Sequence, residues 1–240
     1  HSYGGDSAGL VCGYLMQGST PALPLDSIAA AHWLQAHPQA TPTVQGGTPL
    51  GVAAPFVWLH FNLAHAQALR WIQRHAQLPD AFFEALKEGS HSTRIERDDD
   101  ALVGVLNDAH FDFAFEPFDI ATLWICVLPH VVITARAHPL RSVDALRTAV
   151  RQGYTPRSSV ALLEQLMRTQ AAGLVDIVRG VTARQEEIDG KVASRLAEGW
   201  KLDRLDRSMR AILRAGTYEL LARPDVPVAP IKPSGNREQD

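Results

Sequence analysis

Apolar and polar positions change period several times along this chain, and each change marks an element. Val57, Leu59 and Phe61 alternate with Trp58, His60 and Asn62, which predicts a strand buried on at least one face. Over residues 64–75 the period becomes helical, with Ala68, Trp71 and Ile72 on one side and Gln67, Arg70 and Arg74 on the other. Pro79 suits the first turn of a further helix, whose apolar face is Phe82, Phe83 and Leu86 and which Gly89 closes. Two strands are expected next, over 93–96 and 101–106, joined by Asp98, Asp99 and Asp100. The β-branched runs 120–127 and 131–136, separated by Leu128, Pro129 and His130, read as a hairpin. Ser142 then stands as an N-cap before Val143, Leu146 and Val150 at helical spacing. Near the start, residues 10–15 read as one more strand.

Beyond residue 156 the pattern is helical only. Val160, Met167, Leu174, Val181 and Ile188 recur every seven residues, with Leu163 and Ile177 between them, which predicts a long stalk-like helix. Gly173, Gly180 and Gly190 oppose it by about 1 kcal/mol each relative to alanine. Leu202, Leu205, Met209, Ile212, Gly216 and Leu220 make one face of a last amphipathic helix, with Asp203 near its start and Pro224 after its end. The fold class expected is therefore α/β (α+β): a mixed or antiparallel sheet covered by helices, then a long stalk-like helix and a short helical tail. In domains this gives 8–156 for the sheet, 157–200 for the stalk, 201–223 for the last helix and 224–240 as a disordered tail.

Composition leaves room for such a core. The 240 residues are 46% hydrophobic with a net charge of −3, as in an ordinary globular protein of one or two domains. Charge divides the chain near residue 156. The first part carries nine Lys and Arg against fourteen Asp and Glu, with all ten histidines; the remainder carries fourteen against twelve, with none. Cys12 and Cys126 show no paired spacing, so neither a disulfide framework nor a thiolate zinc site is indicated, and a reducing cytoplasm is the compartment expected. The longest apolar region, around 120–136, is interrupted by Pro129, His130 and Arg136, well short of the roughly 20 apolar residues of a membrane span. No basic segment followed by an apolar run opens the chain as a signal peptide would.

Few residues invite chemistry. Gly5-Asp6-Ser7-Ala8-Gly9 has the spacing of a nucleophile elbow, but that turn needs a buried strand before it, and a small-residue lead into the first strand is the reading preferred. Asp108, His110 and Asp112 alternate, so on a strand they would share one face, read as the solvent face of a half-buried strand with a metal site as the alternative. Asp98, Asp99 and Asp100 read first as a solvated turn, and as the alternative an acidic surface that could concentrate a divalent ion. His60 and His65 are five residues apart, on no common helix face, and are read as structural. Arg207, Arg210 and Arg214 make a basic stripe, the RNA-binding alternative, set against a solvated face balanced by Asp203, Asp206 and Glu219. No catalytic constellation emerges, and the expectation is a protein that is not an enzyme.

The blocks FVWLHFNLAHAQALRW, LPDAFFEALKEGSHSTRIE, DDDALVGVLND and ATLWICVLPHVVITARAHPLRSVDALR, in that order, resemble the cytoplasmic domain of ZntB-type zinc transporters in the CorA family of divalent-cation channels. The resemblance covers roughly residues 8–184. It implies an α/β domain followed by a helix that descends toward the membrane and lines a pentameric funnel, on the cytoplasmic face of the inner membrane. It also implies zinc or magnesium ions as the cations handled, with no tightly bound cofactor. The transmembrane helices and the Gly-Met-Asn signature of a complete member have no counterpart in these 240 residues, so this chain by itself is expected to be soluble and cytoplasmic. From residue 198 to 229, EGWKLDRLDRSMRAILRAGTYELLARPDVPVA resembles a different family, the transcription antitermination factor NusB, with weaker similarity back to Val178. NusB's arginine-rich RNA segment is missing, so nucleic acid is not an expected partner.

Overall fold

The structure, a computed structural model, describes residues 5–18, 20–38, 54–88, 93–108, 121–197 and 199–222. These fall into two compact units, one holding the described residues up to Gln170 and the other those from Ala171 onward.

The first unit is a seven-stranded mixed sheet between two layers of helix. In chain order its elements are β1 (Leu10–Gln17), β2 (Thr20–Pro24), α1 (Ser27–Ala36), β3 (Phe56–Asn62), α2 (Ala68–His75), α3 (Asp80–Glu88), β4 (Arg94–Asp98), β5 (Ala101–Asp108), β6 (Ala121–Val127), β7 (Val131–Arg136), α4 (Arg141–Arg151) and the start of α5 (Ser159–Ala183). The strand order is β2-β1-β3-β7-β6-β5-β4, antiparallel throughout except where β3 and β7 run parallel at the centre. The expected hairpin is there: Val127 pairs with Val132 and Leu123 with Arg136.

Burial follows the period of two. Val57, Leu59 and Phe61 of β3 join Val131, Ile133 and Ala135 of β7 on one face, beneath Ala30 and Leu34 of α1, Ile72 of α2 and Phe82 of α3. Phe56, Trp58 and Val132 point the other way, toward Val143, Leu146 and Val150 of α4 and Leu162, Leu163 and Leu166 of α5. The central strands are thus buried on both faces, which is why they read as continuous apolar runs. Each fully buried Val, Leu, Ile or Phe contributes about 1.5–3 kcal/mol.

Several details differ from the pattern-based expectation. β2 and α1 were not foreseen. The two prolines of β2 hide its strand character and are tolerated because it is an edge strand. In α1 small alanines blur the apolar stripe, and Asp26 caps it by accepting from Ala29 N–H at 2.8 Å. α2 begins at Ala68 rather than 64 because residues 63–67 form a turn, in which Asn62 Oδ1 accepts from Ala64 N–H and His65 Nδ1 from Gln67 N–H. Ser142 is not an N-cap; it is buried inside α4, whose cap position is Leu140 with no side-chain bond.

The second unit contains the rest of α5, then α6 (Gln185–Ala193), a 3-10 turn at Leu202–Arg204 and α7 (Arg207–Ala222). The predicted stalk is therefore interrupted at Arg184, whose φ of −118° and ψ of 21° leave the helical region. The last amphipathic segment is also two pieces rather than one: Asp206 accepts from Met209 N–H at 2.8 Å and starts α7 anew after the 3-10 turn. Residues from Arg223 on, including the expected tail, lie outside the described residues.

Candidate functional site

Three places in the described structure gather polar groups. The first is sealed in the centre of the sheet, where β3 and β7 run parallel and bring Trp58, His60, Thr134 and Arg136 together. All four are almost completely buried. Trp58 Nε1–H donates to Thr134 Oγ1 at 2.9 Å, and the Thr134 hydroxyl is directed at the Leu59 carbonyl at 3.5 Å. Arg136 Nε–H donates to His60 Nε2 at 3.0 Å, so that nitrogen carries no proton. His60 Nδ1–H must then be the donor to Thr134 Oγ1, 2.9 Å away. The imidazole is neutral: burial, then the nearby charges of Arg136 and Arg147, push its pKa down to about 3. A neutral histidine with both nitrogens engaged and no solvent access orders the core; it is not placed to take a proton from a substrate.

The second is the entry to β1. Asp6 Oδ1 accepts from Ala8 N–H at 2.9 Å and Leu10 N–H at 3.0 Å, while Oδ2 accepts from Ser27 N–H at 3.0 Å at the start of α1. Partial burial raises the Asp6 pKa, but the hydrogen bonds from Ser27, Leu10 and Ala8 outweigh it and hold the carboxyl below its ordinary value. Gly9 has φ +80°, and a Cβ there would lie 2.9 Å from His65 Cβ and 3.0 Å from Ala68 Cβ. The Gly5–Gly9 segment is therefore an aspartate-centred turn leading into a strand, with Ser7 exposed at its surface, and not a nucleophile elbow.

The third is an open groove of about 290 Å³ between α3 and the β4–β5 hairpin. Its floor includes Ala85, Val103 and Val105, and Glu84, Glu88, Glu96 and Asp98 stand around it. The β4–β5 register explains this, because Arg94, Glu96 and Asp98 pair with Val105, Val103 and Ala101 and so share their face of the sheet. Arg94 spans Glu88 at 2.8 Å and Glu96 at 3.6 Å, exposed pairs worth at most about 1 kcal/mol each. At the hairpin tip Asp99 has φ 49°, a left-handed conformation that aspartate tolerates, and its carbonyl accepts from Arg97 Nε–H at 2.9 Å. The three consecutive aspartates are thus split between a strand end facing the groove and an exposed turn.

The other sequence-derived positions are not brought into one site. Asp108 ends β5, paired with Ala121, whereas His110 and Asp112 lie outside the described residues. Among the described residues, no three His, Cys, Asp or Glu side chains are arranged to hold a metal ion. Cys12 and Cys126 are unpaired, and burial pushes both thiols up to about 12, so neither is a thiolate. On α7, Arg214 is committed to Asp189 of α6 through two bonds of 2.7 Å, Arg210 is half-buried and Arg207 is exposed, so the three do not form one open basic stripe. The Trp58–His60–Thr134–Arg136 cluster escaped sequence reasoning because it depends on the parallel register of strands about 75 residues apart.

A closed polar core and an open acidic groove are thus carried by a mixed α/β sheet domain that is followed by further helices. The CorA-like Mg2+ transporter protein family matches residues 53–213, more than half of the chain, and the chain belongs to that family.

Solved structures agree on the fold. The full-length CmaX protein matches over 90% of this chain and 60% of its own, with a TM-score of 0.62 and 18% identity. The ZntB cytoplasmic domain from Vibrio parahaemolyticus matches over 91% and 79%, with a TM-score of 0.55 and 16% identity. The CorA magnesium transporter from Methanocaldococcus jannaschii gives a TM-score of 0.51 at 16% identity, over 60% of its length. A separate, local likeness is to the transcription antitermination protein NusB: 64% identity over 56 residues in Sphingopyxis alaskensis and 48% over 64 residues in Caulobacter vibrioides. It spans 23% of this chain and 38% of the first of those proteins, so the chain covers well under half of that relative.

Proposed function

We propose that this chain is the cytoplasmic part of a divalent-cation transporter of the CorA/ZntB type, handling zinc or magnesium at the inner face of the cell membrane. The observation that carries the reading is the family match, which runs through the sheet and the helices after it, from residue 53 to 213. No helix among the described residues is long and apolar enough to cross a membrane, so the pore would have to be supplied by sequence outside them. The cation is the cargo. Where the domain would meet it is at carboxylates such as Asp98, Asp99 and Asp100, or at Asp108, His110 and Asp112. At the aspartate turn the ion would be held with its water shell, as suits magnesium.

Association of several copies belongs to the same reading. Val160 and Met167 of the seven-residue repeat are exposed, as is Val178, five turns beyond Val160 on the same helix, and such a stripe suits helix–helix contact. The test is a chimera in which this chain replaces the cytoplasmic domain of a complete family member, expressed in cells lacking zinc and magnesium transporters. Restored, cation-dependent uptake supports the reading; uptake no greater than that of the pore segment alone overturns it. The chain expressed alone should give no uptake.

A second reading, an RNA-associated factor, is supported by the 56-residue NusB likeness alone. The commitment of Arg214 to Asp189 weighs against it. A gel-shift assay with antiterminator RNA, repeated with Arg207→Glu and Arg210→Glu together, separates the two: salt-sensitive micromolar binding lost in the variant would favour RNA.

A further inference from the structure

The break between α5 and α6 falls at no proline or glycine; the local contacts there are the Thr182 hydroxyl donating to the Val178 carbonyl at 2.9 Å, a bond that favours bending, and the Arg184–Glu187 pair. Bends of this kind usually coincide with proline, glycine or an inserted side chain, yet the sequence around it reads Val181-Thr182-Ala183-Arg184-Gln185-Glu186-Glu187, with the nearest glycines at 180 and 190, inside the two helices. No side chain caps α6 at Arg184, and the ladder resumes with Ile188 N–H to the Arg184 carbonyl. The amides of Gln185, Glu186 and Glu187 are left as first-turn donors that a continuous helix would satisfy. Arg184 swings instead onto Glu187, with Nε and Nη2 at 2.8 and 2.9 Å from its carboxylate.

α7 packs beside the bend. Ile188 and Val192 of α6 are buried, and α6 packs against α7. Arg214 grips Asp189 with a fork of two 2.7 Å bonds, both side chains about three-quarters buried. The Tyr218 ring rests directly on Gly180, in the space a Cβ would take. These contacts all fall within residues 171–222, on either side of Arg184.

We propose that α7 is a clasp that keeps the chain bent at Arg184, and that its release lets α5 and α6 join into one helix from Ser159 to Ala193. In the joined helix Val160, Met167, Leu174, Val181 and Ile188 recur every seven residues without interruption, a stripe for a second copy of this chain. In the bent form Ile188 is buried and so withdrawn from that stripe. α7 is then an autoinhibitory element acting on self-association. The clasp itself depends only on contacts within the second unit, whereas the use of the stripe rests on the stalk reading above.

The two are tested separately on the full chain. Arg214→Asp and Asp189→Arg each place like charges at the fork, and the two together restore opposite charges. The first readout is the carbon-13 Cα shift of Arg184 with amide exchange at Gln185, Glu186 and Glu187. Each single variant should move Arg184 to a helical shift and slow exchange at the three amides at least tenfold, and the double variant should return both to wild type. An unchanged Arg184 in the single variants, or loss of helical shifts across residues 185–193, overturns the clasp; sheet resonances report whether the first unit stays folded. Sedimentation of the same proteins reads the stripe. Larger species in the single variants, abolished by Met167→Asp, support its use by a second copy; a monomer with a straightened Arg184 overturns that use and leaves the clasp standing.

Discussion

All six residues of β7 are buried, whereas α7, with sixteen residues, buries none completely. The sheet unit is held by apolar area removed from water on both faces, a non-directional term spread over dozens of side chains. In the second unit α7 meets α5 and α6 through a few specific contacts, one ion-pair fork to Asp189 and one ring on Gly180, beside two buried aliphatic side chains of α6. The first arrangement resists change because no single contact decides it. The second can be switched by one charge. That difference suits a stable body carrying an adjustable extension.

The sharpest test of the contrast is in the core. Phe61 is fully buried, its ring 5.0 Å from that of Trp71, and Phe61→Ala should cost about 3–5 kcal/mol in urea unfolding followed by tryptophan fluorescence. A cost below about 1 kcal/mol would mean that the sheet is not packed as described.

The buried polar cluster gives the next largest effect, as a dependence on pH. His60 has a folded pKa of about 3 against an ordinary 6.5, so between those values the unfolded chain binds a proton that the folded chain refuses. Stability is therefore full above about pH 6.5 and falls by up to about 1.4 kcal/mol per unit as pH drops toward 3. His60→Gln should remove this slope between pH 6 and 4.5, where most carboxylates stay ionised. An identical slope in the variant would assign the loss to other groups. Within the same cluster, Thr134→Val takes away the oxygen that accepts from both Trp58 and His60. It should cost about 2 kcal/mol by the same unfolding assay, although the side chains are nearly equal in volume. A neutral result would show that a water or a rearranged rotamer replaces the hydroxyl.

At the edge of the sheet unit the expected effect is smaller. Asp6→Asn keeps the shape but weakens the turn and the contact to the start of α1, for a loss of about 1 kcal/mol at pH 7. Because the Asp6 pKa is lowered on folding, its contribution is present above the ordinary carboxylate value and is lost as pH falls through the folded one. The difference between variant and wild type should then shrink below about pH 4. A difference that persists there would make the contribution steric rather than ionic.

These effects track what could be read from the chain itself. Strands of β-branched residues, such as Val131–Arg136, announce themselves because their apolar run is continuous and their loops carry proline or aspartate. β2 does not, since Pro21 and Pro24 are edge-strand residues whose meaning depends on where the strand sits in the sheet. The seven-residue repeat was legible, but the bend at Arg184 was not, because no proline or glycine marks that position and the α7 residues packed beside it, Arg214 and Tyr218, lie 30 residues or more away. For the same reason Leu162, Leu163 and Leu166 form the buried face at the start of α5 while Val160 and Met167 stay exposed: burial there is set by the sheet and not by the repeat. The acidic turn at Asp98, Asp99 and Asp100 was legible as a turn, but its division between a strand end at the groove and the hairpin tip depends on the β4–β5 register.

The smallest effect tests the other side of the contrast. Ile212, 57% exposed on α7, lies on a stripe with Met209 and Leu220, which are exposed as well. Truncation there removes few contacts, so Ile212→Ala should change unfolding stability by less than about 0.5 kcal/mol, as ordinary surface substitutions do. Alanine is the better helix former by a few tenths of a kcal/mol, which offsets part of the apolar area lost. The measurement is the urea midpoint together with the far-ultraviolet helical signal, at protein concentrations from 1 to 100 μM in wild type and variant (roughly the range over which weak self-association with micromolar Kd would show). A loss of about 2 kcal/mol or more at every concentration would mean that α7 is buried within the monomer as the sheet helices are. A loss confined to the highest concentrations would place the stripe in a contact between copies.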